Sequence, residues 1–124
     1  MIVDFIFEDG LLFVEVANLG DLPAHRVRAR FDPPFAGLGG TRRVSSLSLF
    51  RRLEFLAPHK RIRAFLDRSD SYFARDEPAR IDVTVSWLDD DRRRRVRELR
   101  HDLEIYRELA YVQKEVPRNA DHRT

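Results

Sequence analysis

The chain of 124 residues reads as all-β, an antiparallel sandwich of about seven strands. Three observations predict this class. Runs of β-branched and aromatic residues alternate with polar ones at a period of two, the spacing of a pleated strand with one buried face. Turn formers separate the runs: Asp9-Gly10, Asn18 to Gly20, Asp32-Pro33-Pro34, Ala57-Pro58 and Asp89-Asp90-Asp91. No convincing amphipathic helix lies between strands, which argues against parallel βαβ units. The length suits one domain, expected over residues 1–112, with a polar, flexible tail at 113–124.

Taken in order, residues 2–8 form a first strand and 11–17 a second, either as a hairpin or with the first strand crossing to the opposite sheet. Leu12, Val14 and Val16 share one face of the second. Asn18 and Gly20 tolerate positive φ, and Pro23 fixes its own φ and removes a donor, so this strand stops there. In the third strand, 25–31, Val27, Ala29 and Phe31 alternate with Arg26, Arg28 and Arg30, giving one apolar and one basic face. A loop rich in proline and glycine covers 33–43. Residues 44–50 read as a short strand, followed by Leu53 to Leu56. Along 60–66, Ile62, Ala64 and Leu66 face one way, and Arg61, Arg63 and Phe65 the other. Ser69 or Asp70 would cap a single helical turn holding Tyr72 and Phe73.

Residues 80–88 alternate most cleanly, with Ile81, Val83, Val85 and Trp87 on one face. Residues 93–105 read as the last strand. Val96 is out of phase with Leu99 there, which predicts a β-bulge. Residues 102–112 fit either that strand's end or a short helix, because Leu103, Tyr106, Leu109 and Ala110 also keep helical spacing. The expected core is Val14, Val16, Val27, Ala29, Phe31, Phe55, Ile62, Ala64, Ile81, Val83, Val85, Trp87 and Leu99.

The pattern Val16-x-Asn18-x-Gly20-x-x-x-Ala24-x-x-Val27 resembles the N-x-G…A…V signature of bacterial immunoglobulin-like modules of the CARDB type. Leu56-Ala57-Pro58 with Ile62 resembles that group's L-x-P-G stretch, and Ile81, Val83, Val85 and Trp87 its late strand. The likeness spans most of residues 11–105. His59 stands where the group usually carries Gly, and Trp87 where it more often carries Tyr. The resemblance implies an immunoglobulin-like β-sandwich and a non-catalytic interaction or spacer role. It supplies no catalytic residues.

Charged residues are 35% of the chain, above the usual quarter or so, yet the formal net charge is only +2. A dense ionic surface without a steering surplus follows. Lys60 and Lys114 are the only lysines, so the positive charge is almost all guanidinium, the group suited to planar recognition of phosphate and carboxylate. The absence of cysteine excludes disulfides, thiolate metal sites and cysteine nucleophiles. No signal-like segment opens the chain, and no apolar run approaches the ~20 residues of a membrane helix. A cytoplasmic protein is the expectation.

His25, His59, His101 and His122 are too far apart in sequence for a local metal pair, so no metal or other cofactor is expected. Asp89 to Asp91 lacks calcium-loop spacing and reads as a charged turn. Gly37 to Arg43 lacks the Lys-Ser/Thr and the helix of a phosphate-binding loop. An enzyme would need a site built from loops, for instance with His59, Asp70 and Asp76 converging.

The most unusual stretch is Arg92 to Arg100, with six arginines against one glutamate. In immunoglobulin topology the third and last strands flank the penultimate one. Arg26, Arg28 and Arg30 would then share a sheet with Arg92, Arg93, Arg94, Arg95 and Arg97, and this is the candidate binding surface. The leading expectation is a non-catalytic protein-interaction or assembly domain acting through a sheet face, an edge strand or loops, on a partner with an acidic surface. Self-association through an edge strand is a related mode. The alternatives are nucleic-acid binding through the arginines, for which no interleaved stacking aromatics are evident, and the loop-built enzyme.

Overall fold

The computed structural model of the chain describes residues 1–115. Its strands are β1 (Ile2–Glu8), β2 (Leu11–Ala17), β3 (Ala24–Asp32), β4 (Leu53–Leu56), β5 (Arg61–Arg68), β6 (Arg80–Leu88) and β7 (Arg94–Asp102). They form two antiparallel sheets, one ordered β1-β2-β5 and the other β4-β3-β6-β7. Three helices complete the described residues: α1 (Ser48–Arg51), α2 (Ser69–Ala74) and α3 (Glu104–Glu115). Of the two readings of 102–112, the helix holds from Glu104 and crosses the expected tail boundary at residue 112. The remainder of the expected tail, 116–124, and His122 with it, lies outside the described residues.

β1 and β2 form the hairpin. Asp9 and Gly10 take φ values of 52° and 77°, the doubly positive turn whose twist suits two tightly joined strands. The next turn works differently from expectation, because neither Asn18 nor Gly20 adopts positive φ. Asn18 acts through its buried side chain. Nδ2 donates to the carbonyls of Leu22 and Leu56 at 2.9 and 3.1 Å, and Oδ1 accepts the Gly20 N–H at 3.0 Å. One amide thus fastens the β2–β3 turn to the end of β4.

Between the sheets lies a core of aromatic edges. Phe5 of β1 meets Phe31 of β3 at 6.3 Å between ring centroids and Phe35 at 5.5 Å. Phe31 in turn meets Phe35 at 5.0 Å and Phe50 of α1 at 4.9 Å. All four rings are buried. Segment 44–50 is therefore not a strand: Val44 to Ser46 make a 3-10 turn that leads into α1. Val44, Leu47 and Phe50 recur every third residue, the helical signal, and Val44 and Phe50 are buried. The Ser45 hydroxyl accepts the Phe35 N–H and donates to the Phe35 carbonyl, local bonds that compete with strand pairing.

Other details correct the sequence reading. Phe55 points outward and is 53% exposed, while its neighbour Leu56 is fully buried. The β6–β7 register runs without a shift, so no bulge separates Val96 from Leu99, and Val96 lies on the outer face. Bulges occur instead where β2 pairs β5 and where β3 pairs β6. Neither Ser69 nor Asp70 caps α2, whose N-cap position is Arg68. Ile62, Ala64, Trp87 and Leu99 are only partly buried.

The β1 edge is sealed by side chains. The His101 ring places Nε2 2.8 Å from the Val3 carbonyl, and since a carbonyl only accepts, Nε2 carries the proton. The Tyr106 hydroxyl donates to the Phe5 carbonyl at 2.8 Å. Two acceptors that an added strand would need are thereby occupied.

Two stability predictions follow from this packing. Leu56→Ala should cost about 2–5 kcal/mol in urea unfolding, while Phe55→Ala should cost under about 1 kcal/mol. The second concerns alkaline pH. The buried Tyr72 hydroxyl donates to the Pro78 carbonyl, and burial, reinforced by Glu77, pushes its phenol well above the ordinary tyrosine range. The unfolded chain releases the phenolic proton first, so stability is complete below about pH 10 and falls above it. Tyr72→Phe should flatten that decline between about pH 9 and about pH 11, leaving the part contributed by Tyr106, which burial also raises.

Candidate functional site

Alternation along β3 turns Val27, Ala29 and Phe31 inward and Arg28 and Arg30 outward. Ser86 of β6 lies opposite Arg28, and Thr84 opposite Arg30. β7 continues these rungs with Val96 and Glu98, and Arg94 pairs in register with Leu88 near the end of the same face. α1 packs against β3 and brings Arg51 to this side. Together they form an open groove of about 530 Å³ whose lining includes Arg28, Arg30, Arg51, Arg94, Thr84 and Ser86, and no carboxylate.

The four guanidiniums are not equivalent. Arg28 is engaged: it donates to Glu54 Oε2 at 2.8 Å and to the carbonyls of Val27 and Leu53 at 2.9 and 3.1 Å. Its bond to Glu54 holds that carboxyl below the ordinary range. Among the described residues, Arg30, Arg51 and Arg94 form no ion pair. Carboxylates stand further along the same face. Asp32 pairs in register with Asp82, whose carboxylate binds Arg100 at 3.1 Å, and Glu98 lies opposite Thr84.

The expected eight-arginine surface is divided. Arg28, Arg30 and Arg94 meet in the groove. Arg26 sits at the β3 bulge with φ of 48° and borders an adjoining hollow beside Trp87 and Leu88. The bulge lets Ala24 and Val27 both reach the core. Arg92 and Arg93 belong to the β6–β7 turn, with Arg92 at φ 62°. Arg95 and Arg97 pair in register with Trp87 and Val85, so they lie on the opposite face of β7. Arg95 is bound to Asp89 at 3.0 Å. Arg97 lies near Met1, whose amine is lowered by burial and, behind that, by the Arg97 charge. Arg51 is the groove arginine absent from the expected surface, because it follows a segment whose alternation suggests a strand, 44–50, and not the helix that carries it here.

The other candidate groups are accounted for locally. Asp89 Oδ1 accepts the N–H groups of Arg93 and Asp91 at 2.8 and 2.9 Å, and these bonds, with Arg95 on Oδ2, hold its pKa low. The lead carboxylate of the acidic triplet therefore builds the turn. The glycine loop is tied down from below. Asp67 Oδ2 accepts the Gly39 N–H at 3.1 Å and pairs with Arg75 at 2.8 Å. At Gly37 any Cβ would lie only 2.0 Å from the Leu66 carbonyl oxygen. His59 pairs with Asp21 at 3.0 Å, in the turn before β5, whereas Asp70 follows β5 and binds Arg68. The eight residues of β5 separate them by about 25 Å, so His59, Asp70 and Asp76 form no common site. His25 faces Asp90 at 3.6 Å and the Phe55 ring at 5.5 Å.

Residues 1–107 match DUF8453, a domain of unknown function. The chain belongs to this family. The match takes in both sheets, the groove and the start of α3. No curated protein and no solved structure matches the chain. Among the described residues of this DUF8453 domain, no helix is long and apolar enough to cross a membrane.

The turn that presents Arg92 to Arg94 depends on Asp89. Asp89→Ala should speed amide hydrogen exchange at Asp91 and Arg93 by about tenfold, while exchange at Val83 and Val85 in mid-strand stays unchanged.

Proposed function

We propose that this DUF8453 domain is an intracellular, non-catalytic interaction module of immunoglobulin-like type that engages an acidic partner through the outer face of β4-β3-β6-β7. The observation that carries the reading is the groove lined by four arginines and no carboxylate, on a chain whose net charge is only +2. Three of these arginines have no ion-pair partner among the described residues, so the groove keeps a local excess of positive charge. Arginine forks suit carboxylate and phosphate alike, and electrostatic complementarity of this sort selects partners and fixes their orientation.

The likeness to CARDB-type modules supports the same reading. Asn18 of the N-x-G motif makes the turn-fastening bonds described above. His59, standing where that group usually carries Gly, takes φ of 62°, the region that favours glycine. The order β3-β6-β7, with the penultimate strand between the third and the last, supports the immunoglobulin-like reading. A cysteine-free chain suits a reducing compartment.

The test is affinity capture from a lysate of the source, with nuclease present, comparing the native chain with an Arg30→Glu/Arg94→Glu double variant. A stoichiometric protein retained by the native chain and lost by the variant is the expected result. Retention of the same protein by both chains would overturn the use of this face. Nucleic acid as the sole captured species, in a nuclease-free arm, would replace the reading with the nucleic-acid alternative.

A further inference from the structure

Three guanidiniums without an ion-pair partner reach the groove from three different elements: Arg30 from β3, Arg51 from α1 and Arg94 from β7. Between them, on β6, lie the half-buried hydroxyls of Thr84 and Ser86, for which the described residues supply no hydrogen-bond partner. A planar carboxylate has two oxygens and one charge, too few to satisfy three forks that approach from separate elements. A phosphoryl group on a peptide side chain carries about −1.5 to −2 charge and three acceptor oxygens. It matches the number of donors and the three directions from which they come.

The surroundings argue against a continuous polyanion. Asp32 and Asp82 lie further along the same sheet face, Glu98 stands directly opposite Thr84 at the groove's side, and Glu54 flanks it beside Arg28. A nucleic-acid backbone running along the sheet would meet these carboxylates in succession, whereas a single dianion drawn toward Arg30, Arg51 and Arg94 faces only the nearest of them, Glu98. The aromatic rings at the groove, Phe31 and Phe50, are buried in the core and offer no stacking platform. The groove is also open to solvent, which leaves room for the chain that carries a phosphorylated residue.

We infer that the groove binds a phosphoryl dianion carried on a segment of the protein partner, held by Arg30, Arg51 and Arg94 above the hydroxyls of Thr84 and Ser86. The inference rests on the proposed use of this face and names the chemistry that the face reads.

The first probe is inorganic phosphate, titrated into the full ¹⁵N-labelled chain at constant ionic strength, with chloride as the reference anion. Saturable shifts are expected at the side-chain Nε of Arg30, Arg51 and Arg94 and at the Thr84 and Ser86 amides, with a dissociation constant on the order of 1 mM. The second probe is a fluorescent phosphoserine peptide, set against its unphosphorylated form and a short oligo-dT. The phosphopeptide should bind at least about tenfold more tightly than either control. Arg51→Ala and Arg94→Ala should each weaken it about tenfold, and Arg68→Ala on the other sheet should leave it unchanged. Melting curves of the exposed-arginine variants check that each remains folded.

The absence of saturable phosphate shifts overturns the inference, as does equal binding of the two peptides or full binding by Arg51→Ala. Tighter binding of oligo-dT than of phosphopeptide also overturns it, in favour of nucleic acid. Saturation by inorganic phosphate without any preference for the phosphopeptide would assign the site to a free phosphorylated small molecule and overturn the partner assignment. If capture still depends on Arg30 and Arg94 while phosphate fails to bind, the inference falls and the proposed use of the face stands. If capture is indifferent to both arginines, that proposed use falls as well.

Discussion

The edge-to-face contacts that run from Phe5 through Phe31 to Phe50 connect everything else in this molecule. Phe5 belongs to one sheet and Phe31 to the other, so their contact joins the two layers. Phe50 then anchors a four-residue helix that is far too short to be stable alone. Rings in this arrangement contribute about 0.5–1.5 kcal/mol per pair beyond the area they bury. Without Phe50 in the core, α1 would lose its buried anchor, and the position of Arg51 over the sheet would loosen. The third wall of the groove is thus a product of core packing.

Charge is handled in two distinct ways on the two sheets. On the outer side of β1-β2-β5, Glu15 is 3% exposed and accepts from Arg61 at 2.9 Å and Arg63 at 3.3 Å. Arg63 also covers the Phe13 ring at 5.1 Å. These cations are consumed locally, which is what a buried carboxylate requires. On the other sheet, Arg30 and Arg94 have no such acid, and the nearby floor is hydroxyl rather than carboxylate. Two arginine-rich surfaces that look alike in composition therefore differ in what they leave available.

Period-two reading recovered most of the strands because their inward residues follow one another without interruption, as in Ile81, Val83 and Val85. It failed where a different constraint won. The segment from Val44 to Phe50 keeps a period of three, and its serines bond the backbone locally, so it coils. Phe55 was placed in the core on hydrophobicity, but its strand neighbour Leu56 occupies the inward position. The buried Phe35 sits in the loop after β3, outside any alternating run, and carries no periodic signal. The arginines of the candidate surface were visible as residues. Their division between two faces was not, because it depends on strand pairing that only the β6–β7 register fixes. Arg51 stayed hidden behind the misread segment.

That pairing couples the groove to the interior. β7 sends Leu99 and His101 toward the core and Arg94 toward the groove, all at positions set by one turn, Asp89 to Arg93. A one-residue slip of that register would exchange every side chain of β7 between its two faces. Leu99 would go to solvent, the bond from His101 to Val3 would be lost, and Arg95 would replace Arg94. The lining of the groove and the packing of the core beneath β7 therefore stand or fall on one register.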